Sequence, residues 1–263
     1  MLIIKIGGGD QINLEGIIQD LAGIDEPSII VHGANSLRDR LAKELGREKV
    51  VLTSAKGYQS VFSDDSALEL IMMAYSGLQN KKIVELCQQN GVNAVGLSGL
   101  DGRVIQGRRN RGIRVREKGK TLIKRDLSGK PASVNQKLIQ WLLNNGYTPV
   151  LCIPIVDENG SAINSENDDI VGRLHEAFHA DRIIQLIEAP GLLSDVHDEK
   201  SLISQLTYGE LMQKESAAGG RIKRKLYALL KLFDFHPTSV IIADGRISNP
   251  LKQALEGKGT RIL

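Results

Sequence analysis

Strand-like runs and helical patterns alternate from one end of the chain to the other, and no other feature limits the fold more. Short runs rich in β-branched residues, such as residues 2–6 and 28–31, are typical of buried strands. Segments with apolar residues at helical spacing lie between them, and residues 37–45 end at Gly46 in this way. Strands that alternate with helices predict an α/β fold, a mostly parallel sheet covered by helices on both faces.

The same patterns give the bounds of the predicted elements. The expected strands are residues 2–6, 28–31, 92–97, 148–155, 182–187, 239–243 and 260–263. The expected helices are one capped by Asn35 or Ser36 and closed by Gly46, one from Asp64 or Asp65 to about Gln89, and residues 137–145, 168–179 and 221–233. Asn159-Gly160 predicts a hairpin turn, and the spacing of the elements places a soft boundary near Asp181.

Composition narrows the class of protein. The 263 residues suffice for one large domain or two smaller ones, and a hydrophobic content of 41% supports a real core. The net charge of +3 is too small to indicate a nucleic-acid partner. Cys87 and Cys152 form no C-x-x-C pair, and the chain shows neither a signal peptide nor an apolar run of about eighteen residues. These features predict a soluble cytoplasmic protein without a membrane segment.

The first predicted strand leads into a turn that can bind an anion. Lys5 lies within the strand, and three glycines follow at residues 7–9. Glycines let the backbone approach a ligand closely, so that successive N–H groups can bind one anion, and the lysine adds a full positive charge. The string is neither a Walker loop nor a dinucleotide fingerprint, and a tight turn with a solvated lysine is the simpler alternative. Further glycine turns at 31–35 and 96–102 favour a polyphosphate site, because ligands of open α/β sheets bind outside the carboxyl ends of the strands.

A second cluster places four cations at the start of a predicted helix. Residues 219–225 read Gly-Gly-Arg-Ile-Lys-Arg-Lys. The helix dipole disfavours each cation there by about 0.3–1 kcal/mol, so the pattern is locally inconsistent unless an anion lies between them. The alternative is a solvated basic face, since Lys231 continues the charge along the helix.

Carboxylates and amides precede another predicted helix, at residues 164–169. Asn167 or Asp168 can simply cap that helix. Alternatively, one of these acids orients the two lysines or a metal-bound nucleotide, and carboxylates without His or Cys suit a hard ion such as Mg²⁺.

Together these residues resemble the amino acid kinase superfamily, in its acetylglutamate kinase branch. The matching pieces extend over nearly the whole chain and are Lys5-Ile6-Gly7-Gly8, Val31-His32-Gly33, Asn80-Lys81, residues 95–102, Asn164-x-x-x-Asp168, Pro190-Gly191 and residues 220–225. Within the branch, residues 125–131 with Val134-Asn135 and the basic run 220–225 are most similar to kinases that act on aminoadipate or glutamate held by an acidic amino-group carrier protein.

The resemblance implies a three-layer αβα sandwich, often a homodimer, with ATP and Mg²⁺ and transfer of a phosphoryl group to a side-chain carboxylate. Residues 1–180 would form the lobe for the amino acid and the phosphate loop, and residues 181–263 the nucleotide-binding lobe. By analogy Lys5 and Lys225 stabilise the transferring group, and Asp168 orients them. The implied nucleotide-binding residues are Gly7, Gly8, Gly220 and Lys223, with no side-chain metal ligand assigned. The implied substrate-binding residues are Gly33, Ala34, Asn35, Val61 and Asn164.

Departures from the family's pattern bear mainly on the substrate. Residues 33–35 read Gly-Ala-Asn instead of a glycine triplet, Val61 stands where an arginine holds the substrate's α-carboxylate, and Glu166 replaces an asparagine or aspartate. The phosphoryl lysine is Lys225 when counted from the glycine that opens the basic run, and Arg224 is the alternative. The chemistry is therefore expected to be retained, whereas another cation must bind the α-carboxylate or the substrate must present it differently.

Other classes of protein are alternatives. Residues 175–179 match H-E-x-x-H, in which two histidines share a zinc and a glutamate is the base, although Glu188 and His197 are only generic third ligands. The remaining alternatives are a plain N-acetylglutamate kinase of arginine biosynthesis, a kinase for an isoprenoid phosphate and a non-catalytic relative.

Charge is distributed unevenly along the chain. Residues 103–125 contain ten basic residues and one acid, Glu117, so this basic segment carries +9 and the rest of the chain −6. Such a concentration repels itself and is not needed for folding. Three glycines indicate turns in a protruding loop, and few aromatic residues interleave for stacking on nucleic-acid bases. An acidic carrier protein is the better partner. Its expected contacts are Arg108, Arg109 and Arg111.

Overall fold

The computed structural model describes residues 1–47, 50–53, 59–117, 120–234 and 238–263. In these residues the helices are α1 (Leu14–Leu21), α2 (Asn35–Glu44), α3 (Asp65–Ile71), α4 (Asn80–Gln89), α5 (Gln136–Asn144), α6 (Asn167–Phe178), α7 (Tyr208–Ala217), α8 (Gly220–Leu232) and α9 (Pro250–Leu255). A π-helical segment, Met72–Gln79, joins α3 to α4. Short 3₁₀ turns lie at Asp101–Arg103 and Glu199–Ser201.

The strands share the short lengths expected of an α/β protein. They are β1 (Leu2–Ile6), β2 (Ser28–His32), β3 (Val51–Thr53), β4 (Gln59–Val61), β5 (Ala94–Ser98), β6 (Ile105–Arg109), β7 (Ile113–Glu117), β8 (Lys120–Lys124), β9 (Gly129–Val134), β10 (Thr148–Cys152), β11 (Ile155–Val156), β12 (Ala162–Ile163), β13 (Arg182–Ile187), β14 (Gln205–Leu206), β15 (Ser239–Asp244) and β16 (Thr260–Ile262).

In the described residues the central sheet has eight strands, in the order β14-β16-β15-β13-β1-β2-β10-β5. Neighbouring strands are parallel except for β15 and β16. Alternate side chains of β1 enter two separate apolar layers. Ile3 packs with the layer that includes α2, α5, α6 and α8, whereas Leu2 and Ile4 pack with α1, α4 and α9. The predicted three-layer αβα sandwich is confirmed, and Lys5 shares the face of Ile3 that α6 covers.

Smaller sheets lie beside the central one. A four-stranded sheet has the order β12-β11-β6-β9, and β3–β4 and β7–β8 are antiparallel two-stranded hairpins. The β7–β8 hairpin contains residues from the second half of the basic segment. Among the described residues it pairs with neither larger sheet. Of the three glycines expected in turns, Gly112 lies between β6 and β7, Gly107 lies within β6, and Gly119 lies outside the described residues.

Most predicted bounds agree with the structure to within one or two residues, and two expectations are wrong. The strand expected at 148–155 is divided, because β10 ends at Cys152 and β11 belongs to the smaller sheet. The cap expected from Asn35 or Ser36 is absent. The residue that caps α2 is Ala34, which has no side chain able to accept a hydrogen bond.

The expected division into two lobes stays a prediction. Asp181 lies between α6 and β13, where the boundary is expected. The pairing of β1 with β13 makes one sheet continuous across it. No helix in the described part of the chain is long and apolar enough to cross a membrane.

Candidate active site

Lys5 and Asp168 meet where β1 ends and α6 begins. Lys5 Nζ lies 2.9 Å from Asp168 Oδ1, and the lysine is only 8% exposed. Asp168 is in the first turn of α6, where the helix dipole favours an acid. Because side chains along β1 alternate between the two faces of the sheet, Lys5 points to the face where α6 presents this carboxylate. A nearly buried ammonium held by an acid can also bind a transferring phosphoryl group.

The glycine turn after β1 packs directly on the turn after β2. A side chain at Gly8 would place its Cβ 2.6 Å from the Asn35 nitrogen, and one at Gly33 would lie 2.8 Å from the Gly8 nitrogen. The Gly8 carbonyl accepts the Ser36 N–H at 2.9 Å. Only glycines permit this contact, which brings the turn to the start of α2.

The N–H groups of this turn have different roles. The Gly7 N–H donates to the Leu186 carbonyl at 2.8 Å, so it continues the sheet and does not face a ligand. The N–H groups of Gly8 and Gly9 donate to no acceptor among the described residues. The Glu188 carboxylate lies against Gly9 and accepts the Gln11 N–H at 2.7 Å, which disfavours an anion next to Gly9. Of the two glycines expected to bind phosphate, Gly7 and Gly8, only Gly8 therefore has a backbone N–H available to donate to a phosphate oxygen.

At the start of α2, Ala34 is buried and Asn35 faces a tyrosine. The Tyr75 hydroxyl donates to Asn35 Oδ1 at 2.6 Å. Burial raises the pKa of Tyr75 to about 12, so the hydroxyl keeps its proton and remains a donor. Sequence reasoning does not find Tyr75, because the contact joins segments that are forty positions apart.

A buried histidine fixes the end of β2. His32 Nε2 lies 3.1 Å from Asn80 Nδ2, and His32 Nδ1 lies 3.3 Å from the Gly33 carbonyl. Asn80 Nδ2 also donates to the Val150 carbonyl, and Asn80 Oδ1 accepts from Lys81 Nζ. These partners require a neutral His32 with its proton on Nδ1. Burial lowers the pKa of His32 to about 4, so the ring is neutral at pH 7 and serves to fix the structure around it.

Asn164 lies between β12 and α6, four positions before Asp168 in the chain. Asn164 Nδ2 donates to Ser63 Oγ at 2.9 Å, and Asn164 forms a bridge with Ser128. The motif at residues 125–131 contains Asp126 but assigns it no role, and Ser63 is not found from the sequence, since no local pattern relates the three segments.

The basic helix α8 begins at Gly220, one residue before the predicted start, without a side-chain cap or an acid in its first turn. It packs beside α6 in the same apolar layer. Lys225 is exposed, and Lys223 Nζ lies 4.0 Å from Glu215 Oε1 of α7. The side chain of Arg224 lies outside the described residues, so the choice between Arg224 and Lys225 stays open.

The remaining predicted contacts lie outside the central sheet. Val61 ends β4 and pairs with Val51, and its side chain lies outside the described part of the structure. Arg108, Arg109 and Arg111 are exposed at the end of β6 and just beyond it. They are available to a partner, as the carrier hypothesis requires.

The H-E-x-x-H string does not have the geometry of a zinc site. His175 is fully buried within α6, whereas His179 follows the helix in a left-handed conformation, with φ 51°. Glu176 pairs with Arg173. No group of three His, Cys, Asp or Glu side chains in the described residues could hold a metal ion.

Two buried oxygens at the start of α6 fit a bound nucleotide. Ser165 Oγ and Asn167 Oδ1 make no hydrogen bond to the described residues. Buried polar atoms are ordinarily hydrogen-bonded, so both suit a ligand that supplies donors, acceptors or a cation. Both residues lie within three positions of Asp168 in the chain.

Family comparison decides the class of protein. Residues 1–244 match the model of the amino acid kinase family. The chain belongs to this family. It is therefore a kinase, with ATP as the phosphoryl donor.

The most similar relatives cover the whole chain. A LysW-aminoadipate kinase of Thermus thermophilus is 36% identical over 99% of both chains. One of Deinococcus radiodurans is 38% identical over 99% of this chain and 90% of its own. An acetylglutamate kinase of Methanopyrus kandleri is 30% identical over 99% of both chains.

Solved structures agree on the fold. N-acetylglutamate synthase from Neisseria gonorrhoeae superposes with a TM-score of 0.79 at 18% identity, over 99% of this chain and 58% of that one. An isopentenyl phosphate kinase gives 0.66 at 18% identity, over 100% of both chains. These neighbours confirm the amino acid kinase fold.

Proposed function

We propose that this kinase phosphorylates the side-chain carboxylate of 2-aminoadipate or glutamate while an acidic carrier protein holds the amino group. The product is an acyl phosphate, and the step belongs to lysine or arginine biosynthesis. The observation that carries the proposal is the ion pair between Lys5 and Asp168 beside the Gly8 turn. Lys5 supplies a fixed cation, and Gly8 supplies a backbone N–H donor, at the place where a phosphoryl group would be transferred.

The chemistry needs charge neutralisation rather than proton transfer. A substrate carboxylate has a pKa of about 4.3 and is already ionised at neutral pH, so no general base is required. The barrier is the approach of one anion to another. Lys5 lowers it, Asp168 holds the Lys5 side chain in place, and the Gly8 N–H binds a phosphate oxygen. Lys225 on α8 is the second proposed cation.

Mg²⁺ is proposed to accompany ATP and to neutralise part of the polyphosphate charge. Since the described residues contain no group of three metal-binding side chains, phosphate oxygens would supply most of its ligands. Asn167 Oδ1 and Asp168 are the side-chain oxygens best placed in the chain to add to them.

The basic segment supports a protein-borne substrate. Its hairpin β7–β8 stands apart from both larger sheets in the described residues, and Arg108 and Arg111 are exposed at its base. Two of the most similar relatives are named for an aminoadipate attached to LysW. A positive surface of this size steers an acidic partner to the site.

Homodimerisation is a further part of the proposal. Met72, Met73 and Leu78 of the π-helical segment are 37%, 40% and 51% exposed, an unusual set of apolar side chains for a free helix. Light scattering should give twice the chain mass of 28.8 kDa. A monomer at micromolar concentration would contradict this part alone.

A plain N-acetylglutamate kinase is the second candidate, because the Methanopyrus relative has that name. ADP release should be measured with carrier-bound aminoadipate, carrier-bound glutamate, N-acetylaminoadipate and N-acetylglutamate. We expect kcat/KM to be at least about tenfold higher for a carrier-bound acceptor, equivalent to 1.4 kcal/mol. Equal or better use of N-acetylglutamate would favour the second candidate, and no turnover of any acceptor would contradict both.

A further inference from the structure

Asp126 is a buried carboxylate that the proposed mechanism does not use. It lies between β8 and β9 and is only 4% exposed. One of its oxygens accepts the Ser128 hydroxyl at 2.6 Å, and the other accepts the Ser63 N–H at 3.3 Å. A charge this deeply buried is costly unless donors satisfy it, so the two contacts fix its position.

The same contacts extend to Asn164. Ser63 is fully buried, and its Oγ accepts from Asn164 Nδ2. The backbone repeats the connection. The Leu127 N–H donates to the Ser63 carbonyl at 2.6 Å, the Asn164 N–H to the Leu127 carbonyl at 2.8 Å, and the Gly129 N–H to the Asn164 carbonyl at 2.9 Å. Asp126 therefore contacts both segments that position Asn164, the one that contains Ser63 and the one that contains residues 127–129.

A third segment joins the network at the base of the basic segment. Arg109 Nε donates to the Asp126 carbonyl at 3.3 Å. Asn110 donates to Ser128 twice, from Nδ2 to Oγ and from its N–H to the carbonyl, both at 2.8 Å. The proposed carrier surface and the proposed substrate residue thus share one buried anchor.

We propose that Asp126 is a positioning residue, which sets the place of the Asn164 amide at the acceptor end of the site. The inference rests on the proposed function, in which Asn164 binds the amino-acid substrate. One N–H of that amide donates to Ser63, so the second N–H can donate to the acceptor. A displacement of about 1 Å at such a group can cost a hundredfold in rate. Among the described residues, neither Lys5 nor Gly8, on the nucleotide side, makes a hydrogen bond or ion pair to this network.

The test compares two substitutions of Asp126. Asp126→Ala removes both acceptors and should raise KM for the amino-acid acceptor about tenfold, the loss expected for one ligand hydrogen bond. KM for ATP should stay within about twofold. Asp126→Asn should restore most of the acceptor affinity. Its amide oxygen can accept the Ser63 N–H, and its nitrogen can donate to Ser128 Oγ.

A double-mutant cycle separates positioning from general destabilisation. If Asp126 acts through Asn164, Asp126→Ala combined with Asn164→Ala should raise acceptor KM no further than Asn164→Ala alone. Ser128→Ala removes only one hydrogen bond of the same network, so it should raise acceptor KM by a smaller factor. This variant replaces Asp126→Ala in the test if Asp126→Ala does not fold. Unchanged acceptor KM in Asp126→Ala, an equal rise in both KM values, or an Asp126→Asn variant as poor as Asp126→Ala would each overturn the inference. A wild-type protein that phosphorylates no acceptor would instead contradict the proposed function.

Discussion

At the scale of single residues, one lysine distinguishes β1 from an ordinary core strand. The strand reads Leu-Ile-Ile-Lys-Ile, and every residue in it is buried. An ammonium in that setting is tolerated only with a partner, and Asp168 supplies one. Lys5 is recognisable in the sequence because it is the one charged residue in an apolar strand. The fold provides the acid that makes its burial possible.

Replacing Lys5 with alanine should lower kcat by about 10²–10³, the cost of removing one transition-state donor. KM for the acceptor should change much less, because the proposed role of the lysine is at the transferring group. Lys231→Ala is the matched control, since it breaks a surface ion pair with Asp234 at 2.8 Å. Steady-state kinetics of both variants provide the measurement. Full kcat in Lys5→Ala would remove this residue from the mechanism.

Replacing Gly8 with alanine should damage both stability and nucleotide binding. The new Cβ would meet backbone atoms of Ala34 and Asn35 at 2.7 and 2.6 Å, which cannot yield as a flexible side chain can. We expect a loss of about 1–3 kcal/mol in the free energy of unfolding and a higher KM for ATP. Gly209→Ala is the control, because nothing lies within 4 Å of that position. It should be neutral or stabilise by roughly 0.5–1 kcal/mol. Urea unfolding that shows equal stability for both variants would contradict the packing argument.

At the scale of elements, the π-helical segment places two site residues on one side of the long helix. Asn80 N–H donates to the Tyr75 carbonyl, an i to i+5 bond that brings the two residues over each other. Tyr75 then reaches the start of α2, and Asn80 reaches the end of β2. The helix therefore fixes the ends of two neighbouring elements at the site.

His32 should make stability depend on pH. Its pKa of about 4 in the folded protein lies below the ordinary 6.5, so the unfolded chain binds a proton that the folded chain refuses. The free energy of unfolding should accordingly fall as the pH drops from 6.5 towards 4, by about 2 kcal/mol between pH 7 and pH 5 from this group. In His32→Gln that part of the slope should vanish. Urea titrations of both proteins at the two pH values give the difference, and equal slopes would show that His32 is not buried neutral.

Sequence patterns predict elements well where the signals are local. The strand at 182–187 agrees with β13 at both ends, because a short apolar run is bounded by polar residues. The pattern does not predict α1, which contains Gly16. A Cβ there would lie 2.4 Å from the Ser248 carbonyl, so a contact with a distant segment explains the glycine. The same limit applies to the site. Lys5 and Asp168 are identified by motif, whereas the contacts of Ser63 with Asp126 and Asn164 depend on chain crossings that no local pattern records.

At the scale of the whole molecule, the basic segment and the proposed site of phosphoryl transfer lie on different sheets. The basic segment carries +9 and the remaining chain −6. The proposed phosphoryl site lies at the ends of β1 and β2, while the exposed Arg108 and Arg109 lie on the four-stranded sheet. This arrangement suits a partner that docks on one surface and extends its substrate to another.

Reversing Arg108 and Arg111 to glutamate should raise KM for a carrier-bound substrate several-fold and leave KM for ATP nearly unchanged. Arg109 is better kept, because its Nε donates to the Asp126 carbonyl. Lys252→Glu with Lys258→Glu is the matched control, since both lysines are exposed at the far side of the central sheet, on α9 and just after it. An equal effect of the two double variants would mean that net charge, and not this surface, sets the affinity.

The most direct test of the carrier hypothesis is a competition between two acceptors in one reaction. Carrier-bound aminoadipate and N-acetylglutamate are mixed at equal concentration with ATP, and hydroxylamine traps each acyl phosphate for counting by mass spectrometry. We expect the carrier-bound hydroxamate to predominate at low salt and its excess to fall as salt screens the basic segment. Equal amounts of the two hydroxamates at every salt concentration would contradict the carrier hypothesis.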